Sequence, residues 1–249
     1  MSYRDAIREA LGEEMARDGR VHLIGEDIGL YGGCFKVTGD LFSRFGAQMH
    51  ETPVSEEGFT SLAVGSAMLG LRPVVELMYG DFSTLASDSI INHAAKIHYM
   101  SAGQLSCPMV LRAPIGSGTG HGSQHTQSLE SMFANVPGLI IVAPSCPGDA
   151  KALLKSAIRS NNPVLYFEHK GLYNNIGPVG DEHYLLPLGR AIVKKRGVHL
   201  TIVSYSRSVT IALEAAARLA LQDEIEAEVI DLATLKPMDT RTVVQSVKK

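Results

Sequence analysis

Short runs of apolar residues alternate along this chain with segments long enough to form helices. In the first segment, three apolar residues spaced four apart share one helical stripe: Ile7, Leu11 and Met15. Gly19 is a suitable stop, so a helix is expected over Tyr3–Asp18. The chain is therefore expected to open with a helix and to continue into a strand.

Later apolar runs have the length and composition of buried strands. The expected strands of the first part of the chain are Val21–Ile24, Pro73–Met78, Met109–Arg112, Leu139–Val142 and Val164–Phe167. The expected helices between them are Phe59–Leu69, Thr84–Met100, Thr126–Ala134 and Pro147–Ser160. Ser145 is expected to cap the amino end of the last helix. This alternation predicts an α/β fold with a doubly wound parallel sheet that is covered on both faces.

A turn-rich connector divides the chain. Residues 171–187 carry Gly, Pro and Asn at turn positions and show little periodicity, so one domain is expected over residues 1–180 and a second over residues 190–249. The second has its own strands and helices: Leu200–Val203, Val209–Ala220, Ala227–Ile230 and a helix from Asp239. Because about 60 residues make a poor independent core, this domain is expected to be incomplete, with Lys249 a boundary rather than the natural end.

Composition narrows the class of protein. The 249 residues are 45% hydrophobic and 20% charged, which is ordinary for an α/β enzyme. A net charge of −3 without a basic cluster offers no footprint for nucleic acid. The apolar runs are shorter than the roughly 20 residues that span a bilayer, and no signal-peptide pattern opens the chain. We therefore expect a cytoplasmic protein with no membrane role, whose three cysteines, Cys34, Cys107 and Cys146, stay reduced.

An acidic pair at a strand-to-helix turn is the first candidate for chemistry. Val54 is expected at a strand end, and Glu56 and Glu57 follow it at the start of a helix rich in small residues. A carboxylate held there near buried backbone can be catalytic. The alternative is structural, because the helix dipole favours negative charge in a first turn. The segment read alone favours the structural role.

The segment from Gly116 to Gly122 is a glycine-rich loop after an expected strand. Its glycines miss the spacing of a dinucleotide-binding loop, so a flexible loop close to a ligand or to another backbone is expected. His121 and His125 stand four apart, as in a helical zinc pair. The residues between them are poor helix formers, and the glutamate of that motif is absent, so metal binding by this pair is not expected.

Two further side chains fall at the expected sheet edge. His125 closes the glycine-rich loop, where a histidine on a rigid scaffold can do acid–base work; a hydrogen-bonded surface or capping histidine is the alternative. Phe82 follows the Pro73–Met78 strand and should project at the same edge as Glu56. An ordinary packed aromatic is the alternative for Phe82.

Several segments, in order, resemble the β subunit of the thiamine-diphosphate-dependent first component of 2-oxo acid dehydrogenase complexes, a transketolase-like family. The segments are Gly25–Gly29, Tyr31–Gly33, Pro53–Phe59, Leu69–Val74, Gln124–Gln127, Val136–Leu139 and Leu154–Arg159. They extend over essentially the whole chain, which is far more specific than any one motif. The resemblance implies a pyrimidine-binding domain of the transketolase type, followed by the first part of a transketolase C-terminal-type domain.

The resemblance also implies roles for single residues. Glu56 matches the glutamate that hydrogen-bonds a ring nitrogen of the cofactor's aminopyrimidine, which leaves Glu57 as a bystander. Proton sharing at that nitrogen favours the tautomer that activates the thiazolium carbon. Phe82 matches the aromatic beside the aminopyrimidine. His125 matches a histidine that lines the active site near the reacting carbons.

A potassium site of the family maps less closely onto this chain. The resemblance places it on main-chain atoms near Met109, Ala157 and Asn162. Ser160 stands where an aspartate is common, so this chain departs from the family pattern there.

The resemblance further implies a partner. The Gly-Asp-Gly and Asn-Asn segments that hold magnesium and diphosphate are lacking; Gly148–Ala150 followed by Asn174-Asn175 has nearly the spacing, but Ala150 replaces the second glycine and the segment reads as a helix start. Magnesium ligands are therefore expected on another chain. The implied assembly is an α2β2 heterotetramer in which an α subunit shares the thiamine diphosphate, with a lipoyl acyltransferase core as a further partner.

The function implied by the resemblance is oxidative decarboxylation of pyruvate with transfer of the acetyl group to a lipoyl domain, active only with the α subunit. Acetoin dehydrogenase and branched-chain 2-oxo acid dehydrogenase β subunits are close alternatives. A non-catalytic scaffold subunit is the alternative of a different class, and the joint presence of Glu56, Phe82 and His125 argues against it. The missing magnesium motif argues against a self-contained transketolase-type enzyme.

Overall fold

Strands and helices alternate through the first part of the chain, as the sequence predicts. The computed structural model describes residues 1–118 and 120–249, and Thr119, in the glycine-rich loop, lies outside the described residues. The described strands are β1 (Val21–Gly25), β2 (Met49–Glu51), β3 (Arg72–Glu76), β4 (Val110–Ile115), β5 (Ile140–Val142), β6 (Val164–His169), β7 (Ile192–Lys195), β8 (Leu200–Ser204), β9 (Ala227–Asp231) and β10 (Thr234–Lys236). The described α-helices are α1 (Tyr3–Arg17), α2 (Leu41–Phe45), α3 (Glu56–Met68), α4 (Ile97–Met100), α5 (Glu130–Ala134), α6 (Pro147–Arg159), α7 (Ser208–Gln222) and α8 (Thr240–Val247). Further turns are the 3-10 helices Gly80–Thr84 and Ser123–His125 and the π-helix Ser89–Ala94.

Two sheets form from these strands. In the described chain the larger sheet has the strand order β10-β5-β6-β4-β3-β1-β2, and all its pairs are parallel except β10 with β5. The smaller sheet has the order β7-β9-β8. β10 comes from the segment after the connector, so residues beyond 190 supply the outermost strand of the larger sheet. The predicted α/β class with a large parallel sheet is confirmed.

Helices cover both faces of the larger sheet. Successive residues of a strand point to opposite faces, and Val74 accordingly packs in the core formed with α1 and α6, whereas Val75 packs in the core formed with α3. Burying each such side chain stabilises the fold by roughly 1.5–3 kcal/mol. A third, smaller core joins α7 to β9. In the described part of the chain, every helix is too short or too polar to cross a membrane.

Two predictions near helix starts are wrong. The N-cap of α6 is Cys146 rather than Ser145, whose hydroxyl instead donates to Asp231 Oδ2. Val54 is not in a strand, because β2 ends at Glu51 and Val54 lies 78% exposed in the turn that follows. In the first case a long-range partner outcompetes the local cap.

Two predicted helices are shorter or interrupted. The helix predicted over Thr126–Ala134 begins only at Glu130, because the Gln127 carbonyl accepts from Gly116 N at 3.1 Å and is not available to a helical N–H. The helix predicted over Thr84–Met100 is divided into the end of a 3-10 turn, the π-helix and α4. Serine and threonine in that run compete with the helical backbone for hydrogen bonds. Both departures fall beside the candidate site.

Candidate active site

The segments that leave the carboxyl ends of the parallel strands carry the residues singled out from the sequence. Glu56 opens α3 after β2, Phe82 lies in the 3-10 turn after β3, and His125 ends the 3-10 turn after β4. Ligand sites in open α/β sheets form at this edge. The topology therefore brings the three side chains to one edge of the sheet.

An aromatic cluster seats the imidazole of His125. Its ring centroid lies 4.6 Å from that of Tyr79 and 5.3 Å from that of Phe82, both in edge-to-face geometry. Tyr79 also meets Phe35 at 5.5 Å and His121 at 5.7 Å. The two histidines thus share the Tyr79 ring as a neighbour and are not spaced along a helix.

The hydroxyl of Tyr79 faces a glycine-bearing loop. It lies 3.7 Å from Cys34 Sγ. Burial and then the Cys34 thiol raise the pKa of Tyr79 to about 12, so the phenol stays protonated at neutral pH. Gly33, next to Cys34, has φ of 79°, and a Cβ there would lie 2.8 Å from Glu76 Oε1, so a larger residue would be both strained and crowded.

Glu56 lies beside a second buried carboxyl. Glu56 is 7% exposed in the first turn of α3, and Glu26, directly after β1, is 6% exposed. Burial and then the charge of Glu56 raise the pKa of Glu26, against the effect of a hydrogen bond from the Ser55 main chain. Glu26 Oε1 is buried and has no hydrogen-bond partner among the described residues. The two carboxyls therefore form an acidic pair in which one oxygen, Glu26 Oε1, lacks a donor among the described residues.

Glu57 is engaged away from this pair. Its Oε1 accepts hydrogen bonds from Ser89 Oγ at 2.7 Å and from Ser61 Oγ at 3.3 Å. Ser89 belongs to the π-helix, so Glu57 ties α3 to that element. The adjacent residues Glu56 and Glu57 thus have different partners and different surroundings.

Residues not singled out from the sequence complete this edge. Glu26 comes directly after β1 and Lys170 directly after β6. Their positions after buried strands were a signal that could have identified them. Asp81 is harder to foresee, because its partner Gln127 is 46 residues away and no local pattern links the two.

A buried cation is held between two other carboxylates of the sheet. Arg112, 1% exposed, donates to Glu76 Oε2 at 2.6 Å and to both oxygens of Glu168 at 2.7 and 2.9 Å. Tyr173 donates its hydroxyl to Glu168 at 2.9 Å. Burial lowers the pKa of Arg112, but Glu168 and Glu76 outweigh that effect and raise it well above its ordinary value. Burial raises the pKa of Glu76, against the effect of the Arg112 charge. The hydrogen bonds from Arg112 and Tyr173 satisfy the network internally.

The near-match to a magnesium motif is a helix start, as predicted. Pro147 is the first residue of α6, and Asp149 lies in its first turn. Lys194 donates to Asp149 Oδ2, so this carboxylate is already neutralised by a cation from β7. Across the described ranges, no group of three or more His, Cys, Asp or Glu side chains is arranged to hold a metal ion.

The positions implied for potassium lie at the carboxyl end of α6 and the start of neighbouring strands: Met109, Ala157 and Asn162. The Met109 carbonyl accepts from Val164 N at 2.9 Å, and the Ala157 carbonyl accepts from Ser160 N at 3.1 Å. The guanidinium of Arg72 donates to the carbonyls of Ile158 and Ser160, each at 2.9 Å. A fixed positive charge therefore already neutralises this helix end, which makes it a poor fit for a second cation.

Known sequence families match both parts of the chain. The transketolase pyrimidine binding domain family matches residues 1–175, and the transketolase C-terminal domain family matches residues 189–249. The 2-oxoisovalerate dehydrogenase subunit beta of Bacillus subtilis is 47% identical over 251 residues, covering 100% of this chain and 76% of that protein. The pyruvate dehydrogenase E1 component subunit beta of Rickettsia conorii is 44% identical over 250 residues, with 100% and 76% covered. The mitochondrial pyruvate dehydrogenase E1 component subunit beta of Caenorhabditis elegans is 45% identical over 254 residues, with 100% and 72% covered.

Comparison with solved structures shows the same fold. A split gene transketolase, described as an inactive beta4 tetramer, matches with a TM-score of 0.81 and 23% identity over 100% of this chain and 76% of that one. A transketolase mutant from Pichia stipitis matches with a TM-score of 0.74 and 16% identity over 100% of this chain and 37% of that one. These matches show a transketolase-type architecture.

Proposed function

Because the chain belongs to the E1 β subunits of the 2-oxo acid dehydrogenases, a thiamine-diphosphate-dependent family, we propose that it serves the oxidative decarboxylation of pyruvate. The acetyl group is passed to a lipoyl domain. Relatives named as pyruvate dehydrogenase E1 β subunits support this choice at 44% and 45% identity over the whole chain. Glu56, Phe82 and His125 are the proposed site residues.

One observation carries the proposal. Glu56 is a buried carboxyl at the amino end of a helix, paired with Glu26, while Phe82 and His125 pack on each other at the same sheet edge. Isolated buried carboxylates are costly unless a partner supplies hydrogen bonds or charge. A scaffold subunit would have no use for such an acidic pair.

Thiamine diphosphate fits the residues of this edge. The N–H groups of an aminopyrimidine would be donors of the kind that the buried Glu26 Oε1 lacks among the described residues. Phe82 and Tyr79, with ring centroids 5.6 Å apart, offer apolar faces to an aromatic ring. We propose that Glu56 hydrogen-bonds a ring nitrogen and that Phe82 lies beside the ring. When bound, the cofactor would supply a nucleophilic thiazolium carbon for the 2-oxo acid and a cationic ring able to take up the electron pair left when carbon dioxide departs.

The chain's own residues move protons in this proposal. Glu56 lies at the amino end of α3, beside Glu26. Its carboxyl is proposed to give and take a proton at the ring nitrogen. His125, seated on Tyr79 and Phe82, is the residue proposed to exchange a proton near the reacting carbons. Each such proton transfer contributes about 10²–10⁴-fold to the rate.

An α subunit is proposed to hold the diphosphate and its magnesium. This chain lacks the Gly-Asp-Gly segment, and Asp149 in the near-match is bonded to Lys194. We propose an α2β2 heterotetramer with the cofactor shared between α and β chains, docked on a lipoyl acyltransferase core. Potassium at Met109, Ala157 and Asn162 stays a prediction on which no step depends, since the charge of Arg72 opposes it.

The test is reconstitution with the natural α chain. The two chains, with thiamine diphosphate and magnesium, should decarboxylate pyruvate with a kcat/KM at least about tenfold above that for 2-oxoisovalerate or acetoin. Absence of turnover with all three substrates, although the complex assembles, would favour the scaffold role. The β chain alone should bind thiamine diphosphate weakly; tight magnesium-dependent binding by it would contradict the shared site.

A branched-chain 2-oxo acid is the second candidate substrate. The observation that favours it is the 47% identity to a 2-oxoisovalerate dehydrogenase β subunit over the whole chain. The same reconstitution separates the two, because a pocket for a branched chain leaves space around pyruvate and loses part of its binding energy. A preference for 2-oxoisovalerate would replace pyruvate in the proposal and leave the role of Glu56 unchanged.

A further inference from the structure

Two buried charged side chains converge on the short segment that carries His125. The first is Lys170, 4% exposed, whose Nζ donates to the main-chain carbonyl of His125. The same ammonium lies 5.0 Å from the ring centroid of Tyr79. Lys170 therefore contacts both the backbone of His125 and the ring on which its imidazole rests.

The second side chain is Asp81, also 4% exposed, in the 3-10 turn after β3. Its Oδ1 accepts from the main-chain N–H of Gln127 at 3.2 Å and from the side-chain amide of Gln127 at 2.8 Å. Its Oδ2 is buried and has no hydrogen-bond partner among the described residues. Asp81 thus fixes the chain two residues beyond His125.

The negative charge of Asp81 favours the charged form of Lys170. Burial lowers the pKa of Lys170, and the negative charge of Asp81 is the largest effect opposing that change. Their contacts differ in kind: Lys170 holds a carbonyl on one side of Thr126, and Asp81 holds an N–H on the other. A segment held at both ends by charge-assisted hydrogen bonds has little freedom to rotate.

Resting on the function proposed above, we propose that Asp81 and Lys170 are positioning residues that clamp the main chain on both sides of Thr126 and so fix where the imidazole of His125 points. Neither residue needs to touch the substrate. Burying two charged side chains costs free energy. Such a cost is reasonable beside a catalytic group, because a group misplaced by about 1 Å can lose about 100-fold in rate.

The main test variant is Lys170→Met, made in the complex with the natural α chain. It removes the donor and keeps most of the apolar stem. We expect kcat to fall about 10- to 100-fold with KM changed less than about threefold. Hydrogen exchange at the thiazolium carbon, which depends on Glu56, should stay within about twofold of wild type, because the acidic pair is untouched. Loss of that exchange together with kcat would contradict a role confined to His125.

The matched control is Lys236→Met. Lys236 also donates to main-chain carbonyls, those of Ala134 and Val136, each at 2.7 Å, and it makes these contacts away from His125. Lys236→Met should lower thermal stability without a specific effect on the reaction steps that use His125. Equal kcat losses in Lys170→Met and Lys236→Met would overturn the clamp.

A readout independent of turnover is the mobility of the segment itself. In the complex without added cofactor, amide hydrogen exchange of residues 121–127 should speed up about tenfold in Lys170→Met and stay at the wild-type rate in Lys236→Met. The rate at which diethyl pyrocarbonate modifies His125, followed by peptide mass spectrometry, should also change in Lys170→Met. Unchanged exchange in Lys170→Met would refute the clamp even if activity fell.

Asp81→Asn provides a second variant if Lys170→Met does not fold. It keeps an acceptor for Gln127 and removes only the charge, so a smaller, about 3- to 10-fold, loss of kcat is expected with the same increase in segment mobility. A wild-type rate and wild-type mobility in this variant would count against the clamp. A wild-type complex that turns over none of the three substrates would instead refute the proposed function, and the mobility measurements would still decide the clamp.

Discussion

Two pairs of buried carboxylates lie at neighbouring strands of one sheet and differ in what neutralises them. Glu76 and Glu168 flank the guanidinium of Arg112, with hydrogen bonds of 2.6 to 2.9 Å. Glu26 and Glu56 are close enough for the charge of Glu56 to raise the pKa of Glu26, and none of the ion pairs formed within the described chain involves either. All four are nearly inaccessible to solvent. Burial therefore does not distinguish the two pairs, whereas the presence of a built-in counter-charge does.

The two arrangements make opposite demands on the folded chain. An internally neutralised network is strongly destabilised by removing one member, because the others remain buried and unpaired. An unneutralised pair costs stability while it is intact, and that cost is relieved by a ligand or by removal of a charge. Substitutions that break each arrangement should therefore differ in sign as well as in size.

The largest effect is expected from Arg112→Met. Two buried carboxylates would lose their cation, and the free energy of unfolding should fall by about 3–5 kcal/mol, measured by denaturant titration. Combining it with Glu76→Gln and Glu168→Gln should recover part of that loss, since no uncompensated charge remains. A single variant as stable as wild type would show that the network is not what stabilises this part of the sheet.

The next effect is on chemistry rather than on stability. Glu56→Gln should slow hydrogen exchange at the thiazolium carbon in the α-containing complex by at least about 100-fold, because an amide cannot pass the proton. Glu57→Gln is the control from the same helical turn, and its exchange should match wild type because its partners are Ser61 and Ser89. Exchange lost in Glu57→Gln and kept in Glu56→Gln would reverse the assignment of the two residues.

The smallest effect is a pH-dependent gain from Glu26→Gln. Burial and the charge of Glu56 raise the pKa of Glu26 in the fold above its unfolded value. The folded state then binds the proton more tightly, so the stability linked to Glu26 is full at low pH and is lost as pH rises through the folded pKa. Glu26→Gln should raise Tm by about 2 °C at pH 7.5 and leave it unchanged near pH 4. Equal Tm differences at the two pH values would show that charge is not the cause.

Local pattern was sufficient for most of the fold. Buried strands such as β4 and β6 are continuous apolar runs, which a parallel sheet covered on both faces requires. The strands β2 and β10 have three residues each and no such run, and their place is decided by pairing with β1 and β5. A short strand of this kind is visible only once its neighbour is in position.

Only those site residues that directly follow a strand could be predicted from the sequence. Phe82 and His125 could be placed at one sheet edge because each follows an expected strand. Glu56 was placed there through a strand end expected at Val54, whereas the strand that precedes it is β2. The contacts of Lys170 with His125 and of Asp81 with Gln127 join residues 45 and 46 positions apart, and Ser145 meets Asp231 across 86. Such partners are set by the packed structure, so no local spacing predicts them.

The antiparallel strand β10 also constrains how this protein can be made. The chain is synthesised from its amino end. The outer edge of β5 therefore stays unpaired until residues 234–236, which form β10, have left the ribosome. An uncovered strand edge is a template for pairing with a neighbouring chain. A fragment that stops in the connector would expose that edge permanently, which makes residues 1–180 prone to aggregate when they are expressed without the segment that follows.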